Sequence, residues 1–407
     1  MIPLAHRPSL FLLLRVLIAT VAISIAIGLL GVAAPVQAAG RSIPVTVRNA
    51  TDSSAPVYLY VIGEKVAGST QGYVDAGGSF HAWPAATSST PQSAPDAAIK
   101  GPANGSSKTI RLPQGVSGRL YYSIGRKLDF QLVRNGAGRT ALVQPAPWVA
   151  GDPTRATLVD WTEFTSADGL WINSTQVDQF ALPAKVSVSG SGRTRSVGGL
   201  VSGARNRVIK AMLSDPRLAR TVVRDGDGRV LRVLAPGHAI RAGLMSPTYL
   251  DAAITRAWAA HAAKPLVVRP FAGRPALRYT GRTVGGRLVF TSATGARVAS
   301  FAKPSTLDVF ECAGTLLAPN DRVRGPIART LCAALNRGTL HSSAVQPVTN
   351  ASAFYRSSPV NAYAKAVHAA MADGRAYAFA FDDVGGHESL VHLNNPSRVT
   401  VTLPSLG

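Results

Sequence analysis

Short runs of β-branched and aromatic residues, each broken by Gly, Pro, Asn or Asp, fill the chain from residue 43 to residue 188. Two of the clearest runs read V-Y-L-Y-V-I at 57–62 and G-R-L-Y-Y-S-I at 118–124. These side chains suit a pleated, half-buried surface, and the residues that interrupt them are typical of turns. The pattern predicts an all-β architecture for this part of the chain.

A change of pattern after the segment S-G-S-G-R at 189–193 predicts the start of a second domain. Helical periodicity replaces alternation there, and Ser246 followed by Pro247 is a helix-start signal for a helix that carries Trp258. Short strand-like runs flank D-G-D-G at 225–228, which is typical of a hairpin turn. This region is therefore predicted to be an α/β insertion with Trp258 in its core.

From about Ser305 the pattern predicts a return to the first domain, through two helices and then the strands Y-A-F-A-F and V-T-V-T-L. The predicted domains are a leader at 1–38, a β domain formed by 39–190 and 304–407, and an inserted α/β domain at 191–303. The predicted fold class is thus mainly β with an α/β insertion.

The first 38 residues have the form of a secretory signal peptide. They contain Arg7 and Arg15 but no acidic residue, then a nearly unbroken apolar run from Val16 to Ala34, then V-Q-A before Ala39. We expect the protein to be secreted and extracellular. The alternative is a retained membrane anchor, because the apolar run approaches the length that spans a bilayer.

The net charge of +22 comes mostly from arginines scattered through every segment. Such a charge suggests attraction to anionic surfaces such as cell walls. The sequence has no basic stripe interleaved with aromatic residues, so nucleic acid is not an expected partner.

Only two cysteines occur, Cys312 and Cys332, and in an oxidising exterior they are free to pair. A disulfide that closes a loop of about twenty residues contributes roughly 3 kcal/mol by loop-entropy reasoning. A metal site is the competing interpretation, but no histidine sits at ligand spacing from either cysteine, and two thiolates do not complete a tetrahedral shell. We expect a disulfide and no metal.

The densest mix of carboxylates, tryptophans and short polar side chains lies between Asp160 and Phe180, in D-W-T-E-F-T-S-A-D-G-L-W-I-N-S-T-Q-V-D-Q-F. Hydrolysis of a glycosidic bond uses two carboxyl groups on opposite faces of the sugar, and an indole ring can stack on that sugar. Glu163 and Asp178 are the candidate pair. On residue types alone, the other interpretation is a solvent-facing Glu163 and a turn-forming Asp178.

Strand alternation would place Trp161 and Glu163 on one face of a strand and Phe164 on the other, toward the core. The same alternation cannot present Trp171 and Asp178 on one face. We therefore expect a bulge or turn between these two residues, as active-site strands often contain.

Further segments accompany this one: V-Y-L-Y-V at 57–61, G-Y-V-D-A-G-G at 72–78, Y-Y-S-I-G-R-K-L-D-F at 121–130, Q-P-A-P-W ending at Trp148, and Y-A-F-A-F-D-D-V-G-G at 377–386. Together with G-L-W-I-N-S-T-Q-V-D, the most specific of them, they resemble glycoside hydrolase family 64, the laminaripentaose-producing β-1,3-glucanases. The likeness extends over nearly the whole chain after the leader. It implies a thaumatin-like β-sandwich or barrel domain and a mixed α/β domain that flank a wide cleft.

The resemblance also implies an activity: endo-acting hydrolysis of laminarin- or curdlan-type β-1,3-glucan with inversion, without a cofactor, by a monomer that releases short, laminaripentaose-like oligosaccharides. It implies that Glu163 is the general acid and Asp178 the general base. It implies contacts with glucose units from Thr165, Trp171 and Thr175.

One departure from the family pattern leaves an alternative open. The family has one more residue after the glutamate and an Asn that binds sugar, whereas this chain has Ser166 and Ala167 there. A non-catalytic β-glucan or cell-wall binding protein of thaumatin-like type is therefore the alternative function.

Asp382 and Asp383 resemble the acidic pair that lines the cleft of the thaumatin-like fold. Asp383 is the candidate binding residue of that pair, and a turn with solvated aspartates is the other interpretation.

Overall fold

A computed structural model describes residues 42–407. The predicted leader at 1–38 lies outside the described residues, so its role as a signal peptide stays a prediction. Within the described part of the chain, no helix is both long enough and apolar enough to cross a membrane.

Strands outnumber helices in residues 42–407. The helices are α1 Ala204–Leu213, α2 Pro236–Arg241, α3 Asp251–Ala263, α4 Thr306–Glu311, α5 Arg324–Asn336 and α6 Ala362–Ala370. The strands are β1 Ser42–Asn49, β2 Val57–Lys65, β3 Gln71–Val74, β4 Phe80–Ala82, β5 Gln92–Ser93, β6 Ile99–Lys100, β7 Ser107–Pro113, β8 Val116–Ile124, β9 Gln131–Arg134, β10 Thr140–Val143, β11 Leu158–Ala167, β12 Gly169–Ser174, β13 Gln179–Phe180, β14 Lys185–Gly190, β15 Arg193–Val197, β16 Val222–Arg224, β17 Val230–Leu234, β18 Leu266–Val268, β19 Tyr279–Val284, β20 Arg287–Thr291, β21 Arg297–Ala302, β22 Val345–Gln346, β23 Leu390–Leu393 and β24 Arg398–Leu403.

Two sheets share the first hydrophobic core. The larger sheet has the order β23-β12-β11-β8-β2-β3-β4, with β6 also paired to β2, and the smaller has the order β15-β14-β24-β1-β7. Alternate residues of both sheets, such as Val47, Leu59, Phe164 and Val401, bury their side chains in one cluster. Inward apolar residues at every second position are what a two-sheet sandwich requires. The mainly β prediction is confirmed.

The other face of the larger sheet is aromatic over part of its area. Tyr60, Tyr121 and Trp161 point to this side and are nearly inaccessible to solvent, packed with Phe130 and Trp83. Trp161 and Phe164 thus belong to different clusters on opposite faces of β11, as the alternation predicts. Glu163 lies on the face of Trp161.

The six helices pack with the sheets β13-β17-β16 and β21-β20-β19-β18-β22 around a second core. Trp258 is buried there, as predicted. Leu331 and Val367, from helices after residue 304, belong to this same cluster, whereas β23 and β24 return to the first core. The prediction instead attaches everything after residue 304 to the β domain. The domain boundaries themselves stay a prediction.

The predicted strand Y-A-F-A-F is wrong, because the chain turns at residues 379–386. The buried carboxylate of Asp382 accepts the backbone N–H of Ala378 at 3.0 Å, and the N–H of Asp382 donates to the carbonyl of Phe379 at 3.1 Å. These bonds turn the backbone toward the aspartate and supply partners that a sheet would otherwise provide. The strand V-T-V-T-L is confirmed as part of β24.

The predicted disulfide is present between Cys312, which follows α4, and Cys332 in α5. Both sulfur atoms are buried in the second core. The bond therefore joins two helices that pack against each other.

Candidate active site

Glu163 stands in a row of polar residues that crosses the larger sheet. Antiparallel register places Glu163 of β11 directly opposite Asn173 of β12 and Arg119 of β8. Directly opposed residues share one face of a sheet, so the three side chains meet. Arg119 donates to Oε1 of Glu163 from Nε at 3.2 Å and from Nη2 at 3.0 Å, and Asn173 donates to Oε2 at 3.2 Å.

A second row lies beside the first on the same face. Trp171 of β12 is opposite Thr165 of β11 and His392 of β23, and Thr165 is opposite Ser117 of β8. The rings of Trp171 and His392 stack at 3.7 Å between centroids and 13° between planes, and the hydroxyls of Thr165 and Ser117 are 2.8 Å apart. Trp171 and Thr165 are partly exposed. This row offers an aromatic surface and hydroxyls beside Glu163.

Asp178 reaches the same place by leaving the strand. Strand β12 ends at Ser174, and the chain bends at Val177 and Asp178 before β13 begins. The expected turn between Trp171 and Asp178 is confirmed. A straight strand would have sent the carboxylate of Asp178 to the opposite face.

Arg119 stands between the two candidate carboxylates. Its Nη2 atom lies 3.0 Å from Oε1 of Glu163 and 3.8 Å from Oδ2 of Asp178. The two oxygens are therefore at most about 6.8 Å apart, the sum of these distances. Only the upper end of that span overlaps the roughly 6.5 to 9.5 Å typical of inverting glycosidases. The guanidinium also lies over the ring of Trp161, 4.8 Å from its centroid.

The second core supplies a further partner to Asp178. His238 of α2 has Nε2 2.8 Å from Oδ1 of Asp178, and its ring stacks on Trp148 at 4.0 Å between centroids. Burial by itself would raise the pKa of Asp178, but the His238 hydrogen bond and the charge of Arg119 lower this pKa below its usual value. Asp178 is therefore an ionised carboxylate near neutral pH.

Thr175 and Asp383 occupy different settings. The side chain of Thr175 is buried, and its hydroxyl accepts the backbone N–H of Val177 at 3.3 Å, so it shapes the bend before Asp178. Asp383 is exposed on the turn after Asp382.

Burial raises the pKa of Tyr377, which forms a β-bridge with Thr175, and the charges of Asp383 and Glu163 raise this pKa further. Tyr377 therefore lies in the field of both carboxylates.

Asp382 is a structural residue. Its carboxylate is fully buried and accepts hydrogen bonds from Arg337 Nη2 at 2.9 Å, from His368 Nε2 at 2.8 Å and from the N–H of Ala378. Because this carboxylate has no solvent exposure, a sugar in a cleft could not reach it. The resemblance to a cleft-lining acidic pair therefore does not extend to Asp382.

Sequence reasoning missed Arg119, His238 and Asn173. The sequence indicates that Arg119 and Tyr121 lie on the same face of a predicted strand. It does not indicate the register of that strand against the one that carries Glu163. His238 is 60 positions from Asp178, and the pairing of β13 with β17 brings the two segments together. Within residues 42–407, no group of three or more His, Cys, Asp or Glu side chains is placed to hold a metal ion.

The segment after Glu163, which is shorter than in the family pattern, forms a tight hairpin. Ala167 of β11 lies opposite Gly169 of β12, which leaves Asp168 exposed at the tip. Gly169 has a φ of +90°, and a Cβ atom there would lie 2.6 Å from the carbonyl oxygen of Leu393. The hairpin that joins β11 and β12 therefore requires glycine at this position.

Comparison with known proteins gives consistent matches. The family model for glycoside hydrolase family 64, described as beta-1,3-glucanase, matches residues 41–403. A glucan endo-1,3-beta-glucosidase of Cellulosimicrobium cellulans is 44% identical over 377 residues, which are 92% of this chain and 67% of that protein.

Solved structures agree with these matches. The crystal structure of a laminaripentaose-producing beta-1,3-glucanase in complex with laminaritetraose matches with a TM-score of 0.85 and 44% identity, over 90% of this chain and 99% of that chain. A beta-1,3-glucanase domain from Clostridium beijerinckii shares the fold with a TM-score of 0.74 and 24% identity, over 89% of this chain and 98% of that one. The motifs, the matched family model and the identity over most of the chain agree: this protein belongs to glycoside hydrolase family 64.

Proposed function

We propose that this protein is an endo-acting β-1,3-glucanase that hydrolyses laminarin- or curdlan-type glucan. The observation that supports this most is the placement of Glu163 and Asp178 on either side of Arg119, beside the partly exposed ring of Trp171. Two carboxyl groups next to an aromatic surface are the groups that glycoside hydrolysis needs.

In the proposed reaction, Glu163 is the general acid and Asp178 the general base. Glu163 transfers a proton to the glycosidic oxygen as the bond from that oxygen to the anomeric carbon breaks. Asp178 takes a proton from a water molecule whose oxygen forms the new bond to the anomeric carbon from the opposite face. The product is the inverted anomer. Solvent exchange then returns one proton to Glu163 and removes one from Asp178.

The charges near the pair suit a single shared proton. Two carboxylates flank one guanidinium, so the group formed by Glu163, Asp178 and Arg119 carries one net negative charge when both acids are ionised. Uptake of one proton makes the group neutral and removes the repulsion between the carboxylates. This one-proton state, with one acid and one base, is the state that inversion requires.

Substrate would lie along the second row, against Trp171 and Thr165. Ring stacking on an indole and hydrogen bonds to hydroxyl groups are the usual contacts for glucose. Thr175 contributes by shaping the bend, and Asp383 is a candidate for a more distant subsite. The short hairpin after Glu163 removes one surface that could contact sugar, which bears on the length of the product.

Several further expectations belong to this proposal. We propose that the β domain is thaumatin-like, that an inserted α/β domain forms the other wall of a wide cleft, and that the protein acts outside the cell as a monomer. The mature positive charge would favour contact with anionic wall polymers. No cofactor takes part in the proposed reaction.

Release of reducing sugar from laminarin and curdlan tests the proposal. We expect release by the wild type and a loss of about 100-fold or more for Glu163→Gln and for Asp178→Asn, since each removes a proton-transfer group. Proton NMR of the first products should show the α-anomer; the β-anomer as first product would contradict inversion. Binding to curdlan without release by the wild type would instead support the non-catalytic binding protein.

A further inference from the structure

We propose that His238 is a positioning residue for this reaction: it orients the carboxylate of Asp178 and keeps it in the ionised form that a general base needs. The inference rests on the proposed function. It assigns a role in the reaction to a partly exposed residue of helix α2, which packs on the second core.

Asp178 is held at two points, one on its side chain and one on its backbone. The carboxylate oxygen Oδ1 of Asp178 is 2.8 Å from Nε2 of His238, and the carbonyl of Asp178 accepts the N–H of Ala235 at 3.1 Å. The next residue, Gln179, pairs with Leu234 of β17. The segment that enters α2 therefore holds both the backbone and the side chain of Asp178.

The ring of His238 is held in one orientation. Trp148 stacks against it with 18° between the ring planes. Its Nδ1 atom is buried and has no hydrogen-bond partner within residues 42–407. A buried N–H without a partner is costly, so Nδ1 suits the unprotonated nitrogen and Nε2 the one that carries hydrogen. His238 then donates to Asp178, and Asp178 accepts as a carboxylate.

This hydrogen bond also selects which oxygen of Asp178 is free. Oδ1 is occupied by His238, whereas Oδ2 faces Nη2 of Arg119 at 3.8 Å, beyond hydrogen-bond range. That same Nη2 atom donates to Glu163. The unoccupied oxygen is thus turned toward Glu163, where a water molecule and the anomeric carbon would have to lie.

The groups that face Asp178 come from different helices and strands, and they affect its ionisation in opposite directions. His238 of α2 and Arg119 of β8 favour the ionised carboxylate, and Tyr121 of β8 and Tyr363 of α6 are buried phenols nearby. Glu163 of β11 opposes ionisation of Asp178 through like charge, but Arg119 stands between the two. Since burial also disfavours the charge, loss of the His238 hydrogen bond leaves one cation to compensate.

Two substitutions separate the hydrogen bond from the stacking. His238→Phe keeps an aromatic ring against Trp148 and removes the donor, whereas His238→Gln keeps a donor at the place of Nε2 and removes the ring. For His238→Phe we expect kcat to fall about 10- to 100-fold with KM changed by less than about threefold, as for a group that acts in the transition state. The acidic limb of the pH profile of kcat should move up by about one pH unit. His238→Gln should recover most of kcat and the position of the limb.

A second readout does not depend on activity. In protein labelled with ¹³C-aspartate, the carboxyl signal of Asp178 is assigned with Asp178→Asn and followed through a pH titration. The pKa of Asp178 should be higher in His238→Phe than in the wild type and close to the wild-type value in His238→Gln. Equal pKa values in the wild type and His238→Phe would overturn the inference, as would equal losses of kcat in both His238 variants without a shift of the acidic limb. Lack of sugar release by the wild type would refute only the proposed function, because the titration still tests the contact.

Discussion

The buried carboxyl of Asp160 is expected to make the stability of the folded protein depend on pH. Asp160 lies on β11 three residues before Glu163 and is 1% exposed. Its carboxyl accepts the N–H of Trp161 at 3.0 Å and the N–H of Leu182 at 2.7 Å. It therefore ties the strand that carries Glu163 to the segment that follows Asp178.

Burial raises the pKa of Asp160 from 3.8 to about 7, even though backbone hydrogen bonds and the charge of Arg232 lower it. The folded protein thus binds this proton more tightly than the unfolded chain. The resulting stability is fully present below about pH 4 and is lost as the pH rises through about 7. A difference of about three pH units corresponds to about 4 kcal/mol, of which about 3 kcal/mol disappears between pH 5 and pH 8.

The substitution Asp160→Asn removes the titration. The variant also loses one acceptor, at a cost of about 1 kcal/mol that does not depend on pH. The free energy of unfolding is measured by urea at pH 5, 6, 7 and 8 for both proteins. We expect the advantage of the wild type over the variant to shrink by about 3 kcal/mol across this range.

Asp168→Asn is the matched control. It makes the same chemical change as Asp160→Asn, but at a residue that is exposed at the tip of the β11–β12 hairpin. The difference in free energy of unfolding between this control and the wild type should stay constant with pH. If the difference in free energy of unfolding between the wild type and Asp160→Asn is also constant with pH, then burial does not hold a proton on Asp160.

Three other variants test separate parts of the fold. Arg337→Met should lower the free energy of unfolding by about 3 to 5 kcal/mol in thermal or urea unfolding, because it leaves the buried carboxylate of Asp382 with one cation fewer; a loss under about 1 kcal/mol would contradict this. Replacing Cys312 and Cys332 by serine should cost about 3 kcal/mol in the same assay, and a reducing agent should then have no further effect. Gly169→Ala should lower the melting temperature and the activity together, since a methyl group meets backbone at 2.6 Å; an unchanged melting temperature would show that the hairpin can relax.

Local pattern was enough to predict the strand that carries Glu163. Alternation in W-T-E-F-T placed Phe164 in the core and Glu163 with Trp161 on the other face, because side chains of a strand alternate by simple geometry. The same rule showed that Asp178 needed a bend to join Trp171. The strand expected at Y-A-F-A-F failed, because the buried carboxylate of Asp382 competes for the backbone there.

The chain's own sequence therefore determined several of its strands and helices, which two cysteines pair, and which face of β11 carries the candidate acid. The strands, the helices and the face of β11 depend on neighbours a few positions away, whereas the cysteine pairing follows because the chain has only two cysteines. Only the tertiary structure decided what surrounds the two acids. Arg119 meets Glu163 across 44 positions, and His238 meets Asp178 across 60. Such contacts are set by strand register and by the packing of one core against the other, and neither leaves a local signal in the residues that take part.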